Sequence, residues 1–256
     1  SAGTIENLGS FPYEVEVQTI NNSNYVFIAS ANKVEIVNID NLSSPSLITS
    51  LEDGVGGYEL LDGAFTLTYD FINNNHYLFI GSEYDSGVQI INVNDPSNPI
   101  ATAHISHGEN GFNKLKGVNS IKTVDVGSKT YALVTASHST IIDGVQIIDV
   151  TDPSNPSPVQ SLEDGSNGFD RLNGSSNIDF VNIEGNTYGI VASSTDNGVQ
   201  LFSLESSPTI SFTTESDTTA PTSTSSNPTD NATAVSVGSH IVLNFSEAVD
   251  VETGNI

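Results

Sequence analysis

The chain lacks cysteine, methionine and tryptophan, and only six of its 256 residues are lysine or arginine. Without cysteine there is no disulfide bond, no catalytic thiolate and no cysteine-ligated zinc or iron–sulfur centre. The six cations are set against 31 aspartate and glutamate residues, which gives a formal net charge of −25. Such a surface repels nucleic acids and anionic lipids. We therefore expect no nucleic-acid partner.

Long hydrophobic runs are also missing. No apolar stretch approaches the roughly 18 residues that a membrane-spanning helix needs, so we expect no direct membrane insertion. Low lysine with abundant Asn, Ser, Thr, Gly and Asp is typical of secreted, β-rich surface proteins. Five glycosylation sequons agree with this, at Asn21, Asn41, Asn173, Asn231 and Asn244. The composition predicts an extracellular or cell-surface location.

An internal repeat organises most of the chain. Gly144–Pro156 reads GVQIIDVTDPSNP, Gly87–Pro99 reads GVQIINVNDPSNP, and degraded copies lie at Lys33–Pro45 and Gly198–Pro208. The valines near the start of the copies are 54, 57 and 54 residues apart, at Val34, Val88, Val145 and Val199. A fixed period of this size indicates one supersecondary unit used four times.

Each repeat contains four β-like runs and no amphipathic helix. In the third repeat the runs are Asn119–Val126, Thr130–Ala136, Gly144–Val150 and Pro158–Leu162. Four-stranded meanders at a fixed period predict an all-β fold with a β-propeller of four repeats. A β-solenoid or a sandwich is the alternative, but a solenoid usually has a shorter period, and a sandwich need not repeat its turn sequences.

The string GVQIIDVTDPSNP resembles the LVIVD-type repeat of extracellular β-propellers, over about residues 9–212. This resemblance implies a propeller and says little about function. Four repeats fit, from a first inner strand at Tyr13–Thr19 to a last outer strand at Thr209–Thr213. We take residues 1–213 as the propeller. The whole number of repeats favours a ring closed within this chain over an arc of a larger ring.

The composition changes after the propeller. Residues 214–231 are rich in Ser, Thr and Pro and are predicted to be a linker, followed by an incomplete Ig-like domain at 232–256. Residues 217–256 resemble the first half of the bacterial Ig-like domains of surface-layer proteins and adhesins. Half a sandwich would leave unpaired strand edges, so we expect a longer protein or a second chain to complete it.

Acidic and glycine-rich connections join the repeats, at residues 53–63, 107–117 and 164–174. Propeller topology collects acids from these connections and from nearby turns on one rim: Asp53, Asp85, Asp143, Asp164, Asp170 and Asp196. With Asn167 they offer the oxygen ligands that calcium prefers, and we take these seven residues as candidate calcium ligands. The alternative is that they form Asx-turns, with the aromatic residues Tyr58, Phe112 and Phe169 filling the gaps between blades.

Motifs for catalysis are absent from the sequence, since it has no nucleophile elbow, phosphate loop or dinucleotide fingerprint. The first hypothesis is therefore a non-enzymatic cell-surface module whose acidic face binds a protein, a glycan or another copy of the chain. The second is a surface-layer or fibre subunit completed by strand donation. The third is a propeller hydrolase or lyase that acts on extracellular polysaccharide, for which acids converging at the propeller axis would be the evidence.

Overall fold

The computed structural model describes residues 3–5, 11–138, 143–204, 223–227, 229, 233 and 242–245. The chain divides into two compact units, Ser1–Thr214 and Glu215–Ile256. All regular elements in the described residues are β-strands, so the predicted all-β class is confirmed. None of the described residues belongs to a helix that is long and apolar enough to cross a membrane.

Four antiparallel meanders follow one another along the first unit, and we call them blades 1 to 4. Within each blade the strands pair in chain order, from the inner strand outwards. The strands are β1 (Pro12–Ile20), β2 (Ser23–Ser30), β3 (Lys33–Asn38) and β4 (Ser46–Glu52); β5 (Ala64–Ile72), β6 (Asn75–Ser82), β7 (Gly87–Asn92) and β8 (Ile100–Ser106); β9 (Val118–Val126), β10 (Lys129–Ala136), β11 (Gly144–Asp149) and β12 (Ser157–Glu163); β13 (Ser175–Ile183), β14 (Asn186–Ser193) and β15 (Gly198–Leu204).

The blades confirm the propeller-like fold. Strands β9 to β12 agree with the four predicted runs of the third repeat to within one residue at each end. The predicted outer strand of the last blade, Thr209–Thr213, lies outside the described residues.

The hydrophobic core lies between blades. Three clusters of buried side chains each join a pair of neighbouring blades. At the first, Ile20 and Phe27 of blade 1 share a cluster with Leu67 and Leu78 of blade 2, and all four are fully buried. The connections add one buried aromatic residue to each cluster, Tyr58, Phe112 and Phe169. Blade-on-blade packing therefore provides most of the apolar burial.

Polar contacts between neighbouring blades repeat at the turns that follow the inner strands. These turns lie at the opposite end of the strands from the connections. Asn21 donates a side-chain hydrogen bond to the Asn94 carbonyl (3.0 Å), and Asn73 donates the equivalent bond to the Thr151 carbonyl (2.9 Å). Both asparagines have left-handed backbone conformations, as two-residue hairpin turns require. Each bond ties one blade to the outer turn of the next.

The described blades form an arc, not a closed ring. Inner strands β1, β5, β9 and β13 pack successively, but β13 and β1 make no comparable contact. Apolar residues at both ends are open, with Val15 58% and Leu201 54% exposed. The expectation of closure within this chain is therefore wrong. Packing between neighbours sets the angle from blade to blade, and three such steps do not bring blade 4 onto blade 1.

The second unit contains one described pair of antiparallel strands, β16 (Ser223–Asn227) and β17 (Val242–Phe245). Strand β16 lies in the stretch predicted as a linker, and β17 lies in the predicted Ig-like segment. The domain boundaries at 213/214 and 231/232 stay predictions.

The glycine that ends each connection recurs for a steric reason. Gly63, Gly117 and Gly174 have φ between +71° and +74°. A Cβ on Gly117 would stand 2.8 Å from the Ser137 carbonyl oxygen, and the equivalent approach at Gly63 is 2.7 Å to the Tyr84 nitrogen. Neither backbone can move without shifting a blade, so the position requires glycine.

We expect Gly117→Ala to destabilise the propeller more than Gly108→Ala. Both residues have left-handed backbones, but a Cβ on Gly108 meets nothing within 4 Å. Left-handed strain costs about 1–2 kcal/mol at either site, and the overpacking at Gly117 adds about 1–3 kcal/mol. Urea unfolding of the two variants measures the difference. Equal free energies of unfolding would contradict the steric explanation.

Candidate functional site

The first side chain of each connection closes it by accepting a main-chain hydrogen bond. Asp53 Oδ1 accepts from the Leu61 N–H at 2.9 Å, and Asp164 Oδ1 accepts from the Leu172 N–H at 2.9 Å. In the second connection His107 Nδ1 takes the same role, 3.3 Å from the Leu115 nitrogen. Because an imidazole can replace the carboxylate, acceptor capacity is what this position requires.

A second set of acids links the connections to the β2–β3-type turns. Asp85 Oδ2 accepts from the Asp62 N–H at 2.7 Å, and Asp196 Oδ2 accepts from the Asn173 N–H at 2.8 Å. Asp143, only 4% exposed, accepts from the Gly174 N–H at 2.7 Å and from the Ser137 hydroxyl at 2.9 Å. These carboxylates are used to hold the connections against the blades.

The structure brings only some of the candidate calcium ligands together. Asp53 and Asp85 meet at the first connection, and Asp143 and Asp196 bond to adjacent residues of the third connection. Asn167 and Asp170 are exposed. Among the described residues, no group of three or more histidine and acidic side chains is arranged to hold a metal ion. Calcium binding stays a prediction.

Asp53 and Asp85 form a close carboxyl pair. Burial raises the pKa of Asp85, the Asp62 N–H lowers it in part, and the charges of Asp53 and Asp62 raise it again, to about 6. A hydrogen bond with Asp53 contributes in the same direction. The pair therefore retains a proton in mildly acidic solution.

Sequence reasoning missed a glutamine that anchors each of the first two connections. Gln89 is fully buried; its Oε1 accepts from the Glu59 N–H at 3.1 Å, and its Nε2 donates to the Ala103 carbonyl at 2.9 Å. Gln146 makes the equivalent bonds to Asn113 and Gln160. The available signal was the recurrence of glutamine within the otherwise apolar GVQ strand.

A different carboxyl pair lies on the inner strands of blades 2 and 3. The Asp70 carboxyl is hydrogen-bonded by the Thr123 side chain and by the Phe71 N–H, the latter at 2.7 Å. Asp125, two residues along β9 and on the same side as Thr123, is near enough to act on Asp70 electrostatically. Its Oδ1 accepts from the Thr130 hydroxyl at 2.6 Å.

Burial raises the pKa of Asp70, its two hydrogen bonds lower it in part, and the Asp125 charge raises it further. The other inner strands do not repeat this pair. The position of Asp70 holds Gln18, Val124 and Val181 in blades 1, 3 and 4, and the position of Asp125 holds Thr19, Phe71 and Asn182 in blades 1, 2 and 4. A half-buried acid with a raised pKa beside a second, exposed carboxyl group, without a repeating structural role, has the properties of an acid–base pair.

A cavity of about 470 Å³ lies elsewhere, on outer strand β8 beside the first connection. Gly56, Gly57, Ala101 and Ala103 are among its lining residues. The equivalent positions of the next blade hold Asn110, Gly111, Pro158 and Gln160. The cavity therefore coincides with Gly56, Ala101 and Ala103, which larger residues replace in the next blade. Asp70 and Asp125 are not among its lining residues.

Comparison with known protein families gives a match in the last part of the sequence. The bacterial Ig-like domain family matches residues 217–256, which confirms the resemblance noted for that segment. No curated protein matches the chain.

Solved structures share the propeller fold. A protein from Lactobacillus plantarum has a TM-score of 0.59 at 13% identity, over 84% of this chain and 59% of that protein. A glycoside hydrolase family 43 β-1,3-galactosidase with galactodeoxynojirimycin has a TM-score of 0.52 at 9% identity, over 84% and 79%. An exo-β-1,3-galactanase from Phanerochaete chrysosporium has a TM-score of 0.51 at 13% identity, over 85% and 52%. At these identities the likeness shows the fold alone.

The prediction of a non-enzymatic binding module is overturned by these comparisons, because proteins with this fold include two enzymes that cleave glycosidic bonds. The prediction took the lack of a recognisable motif as evidence against catalysis. Carboxylates that come together from separate strands leave no local motif, so that inference was unsound.

The raised pKa of Asp85 predicts a pH-dependent stability. Between its ordinary value of 3.8 and about 6, the folded state binds a proton that the unfolded chain releases. Stability therefore falls as the pH rises through this window. We expect Asp85→Asn, measured in chelator, to melt about 2–4 °C above the parent at pH 7.5, with the difference vanishing near pH 4. A variant that melts below the parent at pH 7.5 would contradict this.

Calcium binding is tested by thermal unfolding in millimolar calcium against chelator. A ligand that binds only the folded state raises Tm, by the equivalent of about 2.7 kcal/mol at a concentration of 100 times Kd. We expect a calcium-specific rise that magnesium does not reproduce and that Asp53→Asn reduces. Identical melting curves in calcium and in chelator would refute the site.

Proposed function

We propose that the propeller is a glycoside hydrolase that acts on an extracellular polysaccharide, with Asp70 and Asp125 as its catalytic carboxyl pair. The observation that carries the proposal is this non-repeating pair on neighbouring inner strands. Every other acid with a role described above accepts a hydrogen bond that closes a turn or connection. Cleavage of a glycosidic bond requires two carboxyl groups, one that donates a proton to the leaving oxygen and one that acts from the other side of the sugar.

Asp70 is the proton donor in this mechanism. Because burial raises its pKa, its carboxyl group retains a proton at higher pH than an exposed aspartate does. It gives that proton to the glycosidic oxygen as the bond from the anomeric carbon to that oxygen breaks. The leaving sugar departs as a neutral alcohol, which is the purpose of general-acid catalysis here.

Asp125 supplies the second function. Its side chain is exposed and so accessible to substrate, and the Thr130 hydroxyl orients one of its oxygens. The carboxylate accepts a proton from the water whose oxygen bonds to the anomeric carbon. Thr123, bonded to Asp70, holds the donor beside the same space.

The charge of the chain bears on the substrate. A net charge of −25 repels polyanionic polysaccharides, so a neutral glycan is favoured. The names of two proteins that share the fold make β-1,3-linked galactans the first class to try. The match of residues 217–256 to the bacterial Ig-like domain family supports a location outside the cell, where such glycans occur.

The test is release of reducing sugar from β-1,3-galactan, arabinan and xylan by the purified chain. We expect hydrolysis of at least one neutral glycan. Asp70→Asn and Asp125→Asn should each lower kcat by about 100-fold or more, since each removes one proton transfer.

The matched control is Asp152→Asn, an exposed turn residue whose Oδ1 accepts from the Ser154 N–H, a bond that an asparagine can also accept. It should retain full activity. Absence of hydrolysis on every glycan, or an Asp70→Asn variant as active as the control, would overturn the proposal. Melting curves of all three variants separate loss of catalysis from loss of folding.

A further inference from the structure

Blade 4 exposes the face that blades 1 to 3 bury. Three apolar positions of each blade pack towards the following blade, one at the end of the inner strand and two on the third strand. In the first three blades they are Ile20, Val34 and Ile36; Ile72, Val88 and Ile90; Val126, Val145 and Ile147, and none is more than 7% exposed. In blade 4 they are Ile183, Val199 and Leu201, at 53%, 54% and 54% exposed. We call these three residues the open face of blade 4.

Blade 1 exposes part of the complementary face. Val15 is 58% exposed, whereas the equivalent residues Leu67, Ile121 and Ile178 are at most 1% exposed because each packs on the preceding blade. Val17, on the same side of β1, is 54% exposed. Ile28 and Val37 on this face are buried, so the open part of blade 1 is its inner strand.

We propose that the open face of blade 4 packs against the open inner strand of blade 1 in a second copy of this chain. The two surfaces are the two halves of an interface that the chain already forms three times, between blades 1 and 2, 2 and 3, and 3 and 4. They cannot meet within one copy because the arc is open. A second copy carries both halves with the same side-chain chemistry.

The contact is head to tail, so the face used on one copy differs from the face used on the other. A ring of two copies uses both ends of each arc, so that neither apolar end stays exposed. The driving force is burial of valine, isoleucine and leucine side chains, and it is opposed by repulsion between two chains of charge −25. Association should therefore strengthen as salt screens that repulsion. The inference does not rest on the proposed hydrolysis.

The test is sedimentation velocity of the purified chain over a range of concentrations, at low salt and at high salt. We expect twice the monomer mass of 27.0 kDa, with tighter association at high salt. Leu201→Lys and Val15→Lys should each weaken the dimer at least tenfold, because each buries an unpaired charge. Both residues are exposed in the single chain, so neither variant should lower its melting temperature.

Mixing the two variants tests the head-to-tail geometry. A dimer of Leu201→Lys with Val15→Lys has one interface free of lysine, so the mixture should associate more tightly than either variant alone. Ile100→Lys, on outer strand β8 and 65% exposed in the parent, is the matched control and should dimerise normally.

Three results would overturn the proposal. A parent protein that stays at 27.0 kDa at every protein and salt concentration would show that these faces do not bind a second copy. A dimer that tolerates both lysines would place its contact elsewhere. A mixture that associates no better than its components would exclude the head-to-tail arrangement.

Discussion

Packing between the faces of neighbouring blades is the interaction on which the rest of this structure depends. A four-stranded meander has two faces and cannot bury both by itself. Here each blade covers its neighbour, and the three clusters that result contain the most deeply buried side chains of the chain. The same dependence explains why the ends of the arc are apolar. A blade that lacks a neighbour on one side therefore leaves apolar side chains exposed on that face.

The connections between blades are the second feature that organises the structure, and their acidic side chains hold them in place by accepting main-chain hydrogen bonds. Each connection must cross from an outer strand to the next inner strand over a rim without regular pairing, so its N–H groups need acceptors. Asp53, His107 and Asp164 supply one, and the buried glutamines of the third strands supply another. A dense acidic rim is therefore compatible with a structural role, and abundance of carboxylates alone does not identify a ligand site.

Departure from the repeat was more informative than the repeat itself. Residues that recur at equivalent positions, such as the terminal glycines and the buried glutamines of blades 2 and 3, are explained by the connections that they hold in place. Asp70 and Asp125 do not recur, and the packing of blades 2 and 3 brings them together. In a molecule built from copies, a polar group that one copy alone carries is a natural place to look for chemistry.

The sequence by itself determined the strands, their turns and the repeating unit, because these follow from alternation of apolar residues and from turn residues within about ten positions. It also determined the bacterial Ig-like segment, through a local stretch of residues. It did not determine whether the blades close, which acids meet, or what the glutamines bind. Asp70 and Asp125 are 55 positions apart, and Gln89 binds a residue 30 positions away. Those outcomes depend on the angle between packed blades, which is set by many side chains at once, and only the tertiary structure decided them.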